Sequence, residues 1–143
     1  MTGAENTIIR AARIEDIARV LALWELARSE HASTADTAED LQRLIGREPG
    51  ALLLAETRNV VCGALIAAWD GWRGNLYRLA VAPERRRAGL GLALVRAGEQ
   101  HLRSQGVSRV TALVGYEDST ATAFWDLAGY PTDHEIGRRV RNL

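Results

Sequence analysis

The chain has 143 residues, of which 47% are hydrophobic, and 18 acidic and 18 basic residues give it no formal net charge. This length is enough for one domain with a proper core, and the balanced charge excludes a global field that would recruit nucleic acid or a membrane. We find no apolar run long enough to span a bilayer and no signal peptide in MTGAENTII. The single cysteine, Cys62, excludes an internal disulfide and fits a buried strand residue in a reducing cytoplasm.

The N-terminal third predicts one strand followed by two helices. A short strand is predicted at Thr7–Ala11 (TIIRA). From Glu15 to near Ser29, apolar residues recur at steps of three and four, which predicts an amphipathic helix with Trp24 in the core. After a polar connection, Thr37-x-x-Asp40 predicts the capping box of a second helix, which Pro49-Gly50 ends.

Two near-continuous apolar runs predict an antiparallel pair of strands buried on both faces. The runs are Ala51–Glu56 and Val60–Trp69, with a turn at residues 57–59 between them. Gly63 is a candidate site for a bulge. Residues 70–75 (DGWRGN) are rich in turn formers and are predicted to connect this pair to the next strand.

The central stretch is Tyr77–Leu94, YRLAVAPERRRAGLGLAL. It predicts a strand that stops at Pro83, then a basic turn with two glycines (the glycine turn, residues 85–91), and then the start of a helix. This layout is typical of phosphate binding, because glycine allows close backbone approach and the first helical N–H groups attract an anion. A Walker A loop is excluded because the chain has no lysine, and a dinucleotide fingerprint would require a third glycine.

The C-terminal third predicts a helix, a strand, a shorter helix and a last strand. Leucines at positions 90, 94 and 102 line one face of the first helix, with Gly98 allowing close approach to the sheet and Gly106 as the helix stop. A strand is predicted at Arg109–Val114 and a short helix from Asp118 to Gly129. The residues His134–Val140 are predicted to form a final edge strand.

Two motifs carry a resemblance to a known family. The first is Arg86-x-x-Gly89-x-Gly91 after the strand LAV, which resembles the acyl-CoA motif of the GNAT-type N-acetyltransferases. The second family signature, Asn-x-x-Ala-x-x-Phe-Tyr-x-x-x-Gly-Phe, matches the spacing of Asp118-x-x-Ala121-x-x-Phe124-Trp125-x-x-x-Gly129-Tyr130. The chain is most similar to the small YpeA-type bacterial members.

The resemblance implies a fold and a reaction. The implied fold is a single α/β (α+β) GNAT domain with a mixed sheet of six to seven strands, splayed at the central strand, and about four helices. The implied activity is transfer of acetyl from the cosubstrate acetyl-CoA to a small-molecule or protein amine by direct attack, without a metal, in the cytoplasm. Two alternatives stay open: a CoA-binding sensor or partner module without catalysis, and a protein-interaction scaffold. A homodimer through sheet edges or C-terminal strands is common among small relatives.

The resemblance also assigns residues to the cosubstrate. The central strand would pair with the pantetheine arm, and a backbone N–H at or near Val81 would stabilise the oxyanion. The turn would hold the pyrophosphate, and the second signature would add two side chains. The implied cofactor-binding residues are Leu79, Ala80, Val81, Arg86, Arg87, Ala88, Gly89, Leu90, Gly91, Leu92, Asp118 and Trp125.

The catalytic acid and base are left open by the sequence. Trp125 stands where the family often has a tyrosine that protonates the thiolate, and Asn75 stands where several members have a glutamate. Tyr116 and Tyr77 are the candidate replacements, the former as proton donor and the latter to order a water. Other candidate bases are Glu25, Glu30 and His31. Candidate acceptor-binding residues are His31, Asp70, Trp72 and Tyr77.

Overall fold

A computed structural model of the protein describes residues 6–27, 36–115 and 119–143. The chain divides into two compact units, Met1–Leu113 and Val114–Leu143. The single-domain organisation expected from the sequence therefore stays a prediction. Within the described ranges, no helix is both long enough and apolar enough to cross a membrane.

The larger unit begins with strand β1 (Thr7–Ala11), helix α1 (Ile17–Leu26) and helix α2 (Ala38–Arg47). A single 3-10 turn, Ile14–Asp16, precedes α1. Trp24 is buried, as predicted. The predicted cap of α2 is also confirmed, because the Thr37 hydroxyl accepts the Asp40 N–H at 3.1 Å. The predicted polar connection at residues 30–33 lies outside the described residues.

Five described strands form one mixed sheet in the order β1-β2-β3-β4-β5. The later strands are β2 (Leu52–Thr57), β3 (Val60–Trp69), β4 (Gly74–Val81) and β5 (Val110–Ala112). Neighbouring strands are antiparallel except β4 and β5, which are parallel. The predicted turn between β2 and β3 is present but shorter than residues 57–59: Thr57 belongs to β2, and Arg58 and Asn59, with φ of 53° and 65°, make a two-residue turn.

Both faces of this sheet are covered by helices. Consecutive residues of a strand point to opposite faces, and Leu52–Ala55 of β2 are all buried. Helix α3 (Leu90–Ser104) packs against β2, β3 and β4. A Cβ on Gly98 would lie 2.9 Å from Leu65 Cδ2, so glycine permits the predicted close approach to the sheet. On the other face, α1 contacts β3 and β4, and α2 contacts α1.

The smaller unit contains helix α4 (Ser119–Ala128), close to its predicted position. Trp125 is buried and makes edge-to-face contacts with Phe124 and Tyr130, with ring centroids 5.3 Å and 5.2 Å away. Gly129, with φ of 97°, ends the helix, and the Tyr130 N–H donates to the Trp125 carbonyl at 2.8 Å. This arrangement is a glycine-based helix C-terminus, as the sequence predicted.

The sheet differs from expectation in its extent. The family resemblance implied six to seven strands, whereas the described residues contain five. The predicted edge strand His134–Val140 is wrong: the segment is irregular, with Ile136 and Val140 exposed. Gly137 and two arginines separate these two apolar residues, so the segment has no continuous apolar face to bury. β5 is likewise shorter than the predicted Arg109–Val114.

Candidate functional site

The N-terminus of α3 carries a group of outward N–H donors. A 3-10 turn at Pro83–Arg85 follows β4, and Gly89 is the N-cap residue of α3, with φ of 80°. Gly89 has no side chain that could cap the helix, and the first turn of α3 contains no acidic residue. The first backbone bond runs from the Ala93 N–H to the Gly89 carbonyl at 3.0 Å, so the N–H groups of Leu90–Leu92 have no acceptor within the helix. These donors and the helix dipole favour an anion.

The glycine turn is exposed but firmly attached. Residues 86–89 are exposed, and Arg87 has a left-handed φ of 65°. Arg86 Nε donates to the Val81 carbonyl at 3.2 Å, which braces the turn against the end of β4. Arg85 Nη2 donates to the hydroxyls of Thr7 and Thr57 at 3.2 Å and 3.0 Å. Arg85 therefore anchors the turn to β1 and β2, a role that the run of three arginines did not reveal.

A bulge interrupts β4 just before its last residues. Ala80 pairs with Ala64 and Tyr77 with Ile66, so two β4 residues, Arg78 and Leu79, oppose the single residue Leu65. The bulge changes which face each residue occupies. Leu76 contacts the position of Gly98 on α3, and Val81, five residues later, pairs with Gly63, which also faces α3. In a regular strand, residues five apart would face opposite ways. The bulge that we expected near Gly63 is also present, since the β2–β3 register shifts between Gly63 and Val61.

Beyond the bulge, one edge of β4 is not paired with β5. The parallel ladder covers Gly74–Leu76, and its last bond joins the Leu113 N–H to the Leu76 carbonyl. The Ala82 N–H donates to the Cys62 carbonyl on β3 at 2.8 Å, so alternation turns the Val81 N–H toward the opposite edge. This edge and the α3 N-terminus form the candidate site: a strand edge for an extended ligand, followed by donors for an anion.

The hairpin at the other end of β4 holds two predicted acceptor-binding residues. Asp70 Oδ1 accepts the N–H groups of Trp72 and Arg73, both at 2.8 Å, and the bond from Arg73, then that from Trp72, lowers the pKa of Asp70. Trp72 is 70% exposed, with the Arg73 guanidinium carbon 4.0 Å from its ring centroid. The carboxylate thus closes its own turn, while the indole faces solvent.

Comparison with known proteins decides the family. Residues 17–130 match the model of the acetyltransferase (GNAT) family. The chain belongs to the GNAT family. It is 33% identical over 116 residues to an acetyltransferase of Photorhabdus laumondii, covering 81% of this chain and 80% of that one.

Two solved structures resemble this acetyltransferase over most of its length. One is a GNAT family acetyltransferase from Brucella melitensis in complex with acetyl-CoA, with 26% identity, a TM-score of 0.64, and coverage of 81% and 80% of the two chains. The other is the aminoglycoside acetyltransferase meta-AAC0020 from an uncultured soil metagenomic sample, in complex with sisomicin. It has 19% identity, a TM-score of 0.76 and 96% coverage of each chain, and it supports the fold alone.

The remaining predicted site residues of this GNAT chain fall into three groups. Asn75 and Tyr77 pair with Ala68 and Ile66 of β3 and share one face of the sheet, the face away from α3. Trp125 belongs to the smaller unit, where its indole packs on two other aromatic rings. Four further candidates lie outside the described residues, namely Glu30, His31, Tyr116 and Asp118.

Proposed function

We propose that this acetyltransferase takes acetyl from acetyl-CoA and passes it to an amine by direct attack in a ternary complex. The observation that carries the proposal is the α3 N-terminus without a side-chain cap, directly after the β4 edge that β5 leaves unpaired. The Brucella melitensis family member with acetyl-CoA supports the choice of donor. The family match over residues 17–130, which extends into both units, supports a single functional domain.

The pyrophosphate of the donor would lie on the glycine turn. In the part of the chain that the structure describes, nothing beyond the adjoining residues lies within 4 Å of a Cβ built on Gly89, so the backbone there is open to a close ligand. The proposed contacts are backbone N–H groups and the arginine side chains beside them: Arg86, Arg87, Ala88, Gly89, Leu90, Gly91 and Leu92. This surface is suited to an anion because it combines N–H donors, a helix N-terminus and guanidinium groups.

The pantetheine arm would add to the β4 edge at Leu79–Val81 as an extra strand does. The Val81 N–H, directed away from β3, would then donate to the thioester oxygen as negative charge develops there. The amine nitrogen attacks the thioester carbon, the carbon–sulfur bond breaks, the nitrogen loses a proton and the CoA thiolate takes one up. Holding the two reactants in place can contribute several kcal/mol to lowering the barrier.

Tyr77 is the proposed residue for ordering a water that accepts the amine proton. It lies beside the bulge, on the face away from α3. Trp125 can donate a hydrogen bond through its indole N–H but supplies no proton at neutral pH. We therefore propose that the thiolate leaves without a tyrosine donor at this position. The proposed acceptor is an amine of a small molecule or a protein, and the proposed compartment is the cytoplasm.

Calorimetric titration with acetyl-CoA, followed by a free-thiol assay, tests the proposal. The amine panel would contain kanamycin, spermidine and a short peptide with a free N-terminus. We expect micromolar binding and amine-dependent thiol release. Binding without release from a broadened panel would favour the CoA-binding module, for which Asn75 and Trp125 are the motivating substitutions. Absence of binding would overturn the proposal.

A further inference from the structure

The bulge in β4 is built on a residue whose backbone is strained. Arg78 has φ of 57°, in the left-handed region that residues other than glycine, asparagine and aspartate rarely adopt. Such a conformation costs on the order of 1–3 kcal/mol and persists only where the surroundings hold it. Neither bulge residue, Arg78 or Leu79, is a glycine, so the sequence of β4 contains no signal that predicts the bulge.

An ion pair holds the Arg78 side chain. Arg78 Nη2 lies 3.2 Å from Asp36 Oδ1, and the two side chains are 34% and 29% exposed. Asp36 directly precedes Thr37, the N-cap of α2. The pair therefore connects the bulge of the central strand to the start of α2, 42 positions earlier in the chain.

The position of the bulge gives this ion pair a consequence for the proposed site. β4–β5 pairing ends at Leu76, and the bulge at Arg78–Leu79 follows at once. The bulge adds one residue to β4, so every N–H after it points to the edge opposite to that in a regular strand. The direction of the Val81 N–H therefore depends on the bulge. A regular strand through Arg78 would turn that N–H away from the unpaired edge.

We propose that Arg78 and Asp36 are positioning residues for acetyl transfer. Their ion pair keeps Arg78 in the left-handed conformation, and the resulting bulge aims the Val81 N–H at the thioester oxygen of acetyl-CoA. The inference rests on the proposed function, since it concerns the same donor site. Neither side chain touches the reacting atoms; both act through the β4 backbone.

The test uses two affinities and one spectrum. CoA shares the pyrophosphate and pantetheine contacts of acetyl-CoA but lacks the thioester carbonyl, so the ratio of the two affinities isolates that carbonyl. In Asp36→Asn we expect affinity for acetyl-CoA to fall about three- to tenfold, the size of one hydrogen bond, and affinity for CoA to change less than about twofold. The infrared carbonyl band of bound acetyl-CoA, lowered in the native protein, should move back toward its value in water.

Two further variants control for general damage to the fold. Exchanging the charges, with Asp36→Arg and Arg78→Asp together, should restore most of the affinity ratio and the carbonyl shift. Arg58→Gly removes a second arginine with positive φ, in the β2–β3 turn, and should change neither quantity.

The outcomes separate this inference from the proposed function. A native protein that does not bind acetyl-CoA contradicts the function. A native protein that binds acetyl-CoA with a shifted carbonyl, while Asp36→Asn keeps both the affinity ratio and the shift, contradicts the positioning role alone. Loss in Asp36→Asn with recovery in the charge exchange supports it.

Discussion

Helices α2 and α3 begin in opposite ways. At α2, the Thr37 hydroxyl accepts the Asp40 N–H, and Glu39 and Asp40 place two carboxylates in the first turn. At α3, the N-cap is Gly89, with no side-chain cap and no acid in the first turn. Both helices present N–H donors and a positive dipole end. The sequence of α2 supplies an acceptor for one of these donors, the Asp40 N–H, whereas the N-cap of α3 has no side chain and leaves its donors for a ligand.

Two other turns follow the pattern of α2. Asp70 closes the β3–β4 hairpin, and Asp16 accepts the Arg13 N–H at 2.8 Å before α1. An internal side-chain oxygen, from a hydroxyl at α2 and a carboxylate at the other two sites, thus accepts a backbone N–H, whereas the glycine turn contains arginines instead. The binding turn therefore differs from the other turns in two ways: its sequence contains glycines, and it lacks a side-chain acceptor for its own N–H groups.

The largest effect is expected from giving α3 a carboxylate of its own. In Gly89→Asp, the new charge would face the ligand phosphate, and two like charges 4 Å apart at a protein surface repel by about 4 kcal/mol. We expect acetyl-CoA affinity to fall more than about 100-fold by calorimetry, with the fold retained, since aspartate is a good N-cap and tolerates positive φ.

Gly89→Asn is the matched control, having almost the same shape without the charge. Its affinity should fall less than about tenfold. Equal affinities for Gly89→Asp and the native protein would show that acetyl-CoA binds elsewhere.

Removing the carboxylate before α1 should affect stability and not the ligand. Asp16 is buried and accepts bonds from Arg10 Nη1 at 2.8 Å and Arg19 Nη2 at 2.6 Å. Asp16→Asn removes this carboxylate and leaves Glu56 as the ion-pair partner of both guanidinium groups, so we expect a loss of about 1.5–3 kcal/mol, the size of a hydrogen bond to a charged group, in urea unfolding at pH 7. Unchanged stability would mean that the bonds of Asp16 to Arg10 and Arg19 contribute little to the free energy of unfolding.

The same carboxylate predicts a pH dependence. The bond from Arg10 outweighs the effect of burial and holds the pKa of Asp16 far below its usual range. A depressed pKa stabilises the fold above the unfolded value of about 4, and this contribution is lost as the pH falls below it. The stability gap between the native protein and Asp16→Asn should therefore narrow from pH 5 to pH 2. A stability difference that stays constant over this pH range would show that the pKa of Asp16 is not lowered in the folded protein.

Removing the cap of α2 should have a smaller effect. Thr37→Ala deletes the acceptor for the Asp40 N–H, and loss of an N-cap side chain costs about 1 kcal/mol. Urea unfolding would measure this loss, while acetyl-CoA affinity should stay within about twofold of the native value. A large loss of affinity would contradict the separation of the two helix ends.

The smallest effect is expected at Trp125. The contrast between α2 and α3 concerns backbone N–H donors, whereas a substitution at Trp125 tests the chemistry of a side chain. Trp125→Tyr introduces the hydroxyl common in the family, and Trp125→Phe is its control. With an amine that supports turnover, we expect kcat of the tyrosine variant to equal or exceed the native value by up to about threefold, and the phenylalanine variant not to gain. A loss beyond about tenfold in both would show that the indole itself is required.

Much of the fold could be predicted because its signals are local. Thr37, Gly98, Gly106 and Gly129 each have a role that depends on near neighbours or on one close contact, and the structure confirms all four. The strand prediction at His134–Val140 was wrong because a segment forms a strand only where a partner strand and an apolar face are present.

The candidate site was predictable in part. The glycine turn follows from a motif, because backbone donors at a helix start need only glycine and position. The β4 bulge, the anchoring of Arg85 on Thr7 and Thr57, and the Arg78–Asp36 pair depend on contacts between distant segments. Asp70 was predicted to face an acceptor, but its carboxylate is engaged by its own turn. Its position in the sequence does not reveal that bond partner.

The most direct test of the contrast between α2 and α3 is an amide NMR titration of the uniformly ¹⁵N-labelled protein with acetyl-CoA. We predict the largest shifts at the backbone N–H groups of Leu79–Val81 and Arg87–Leu92, with little change at Ala38–Asp40. Shifts concentrated at the start of α2, or no shift in the glycine turn at saturation, would contradict the assignment of α3 as the donor-binding helix.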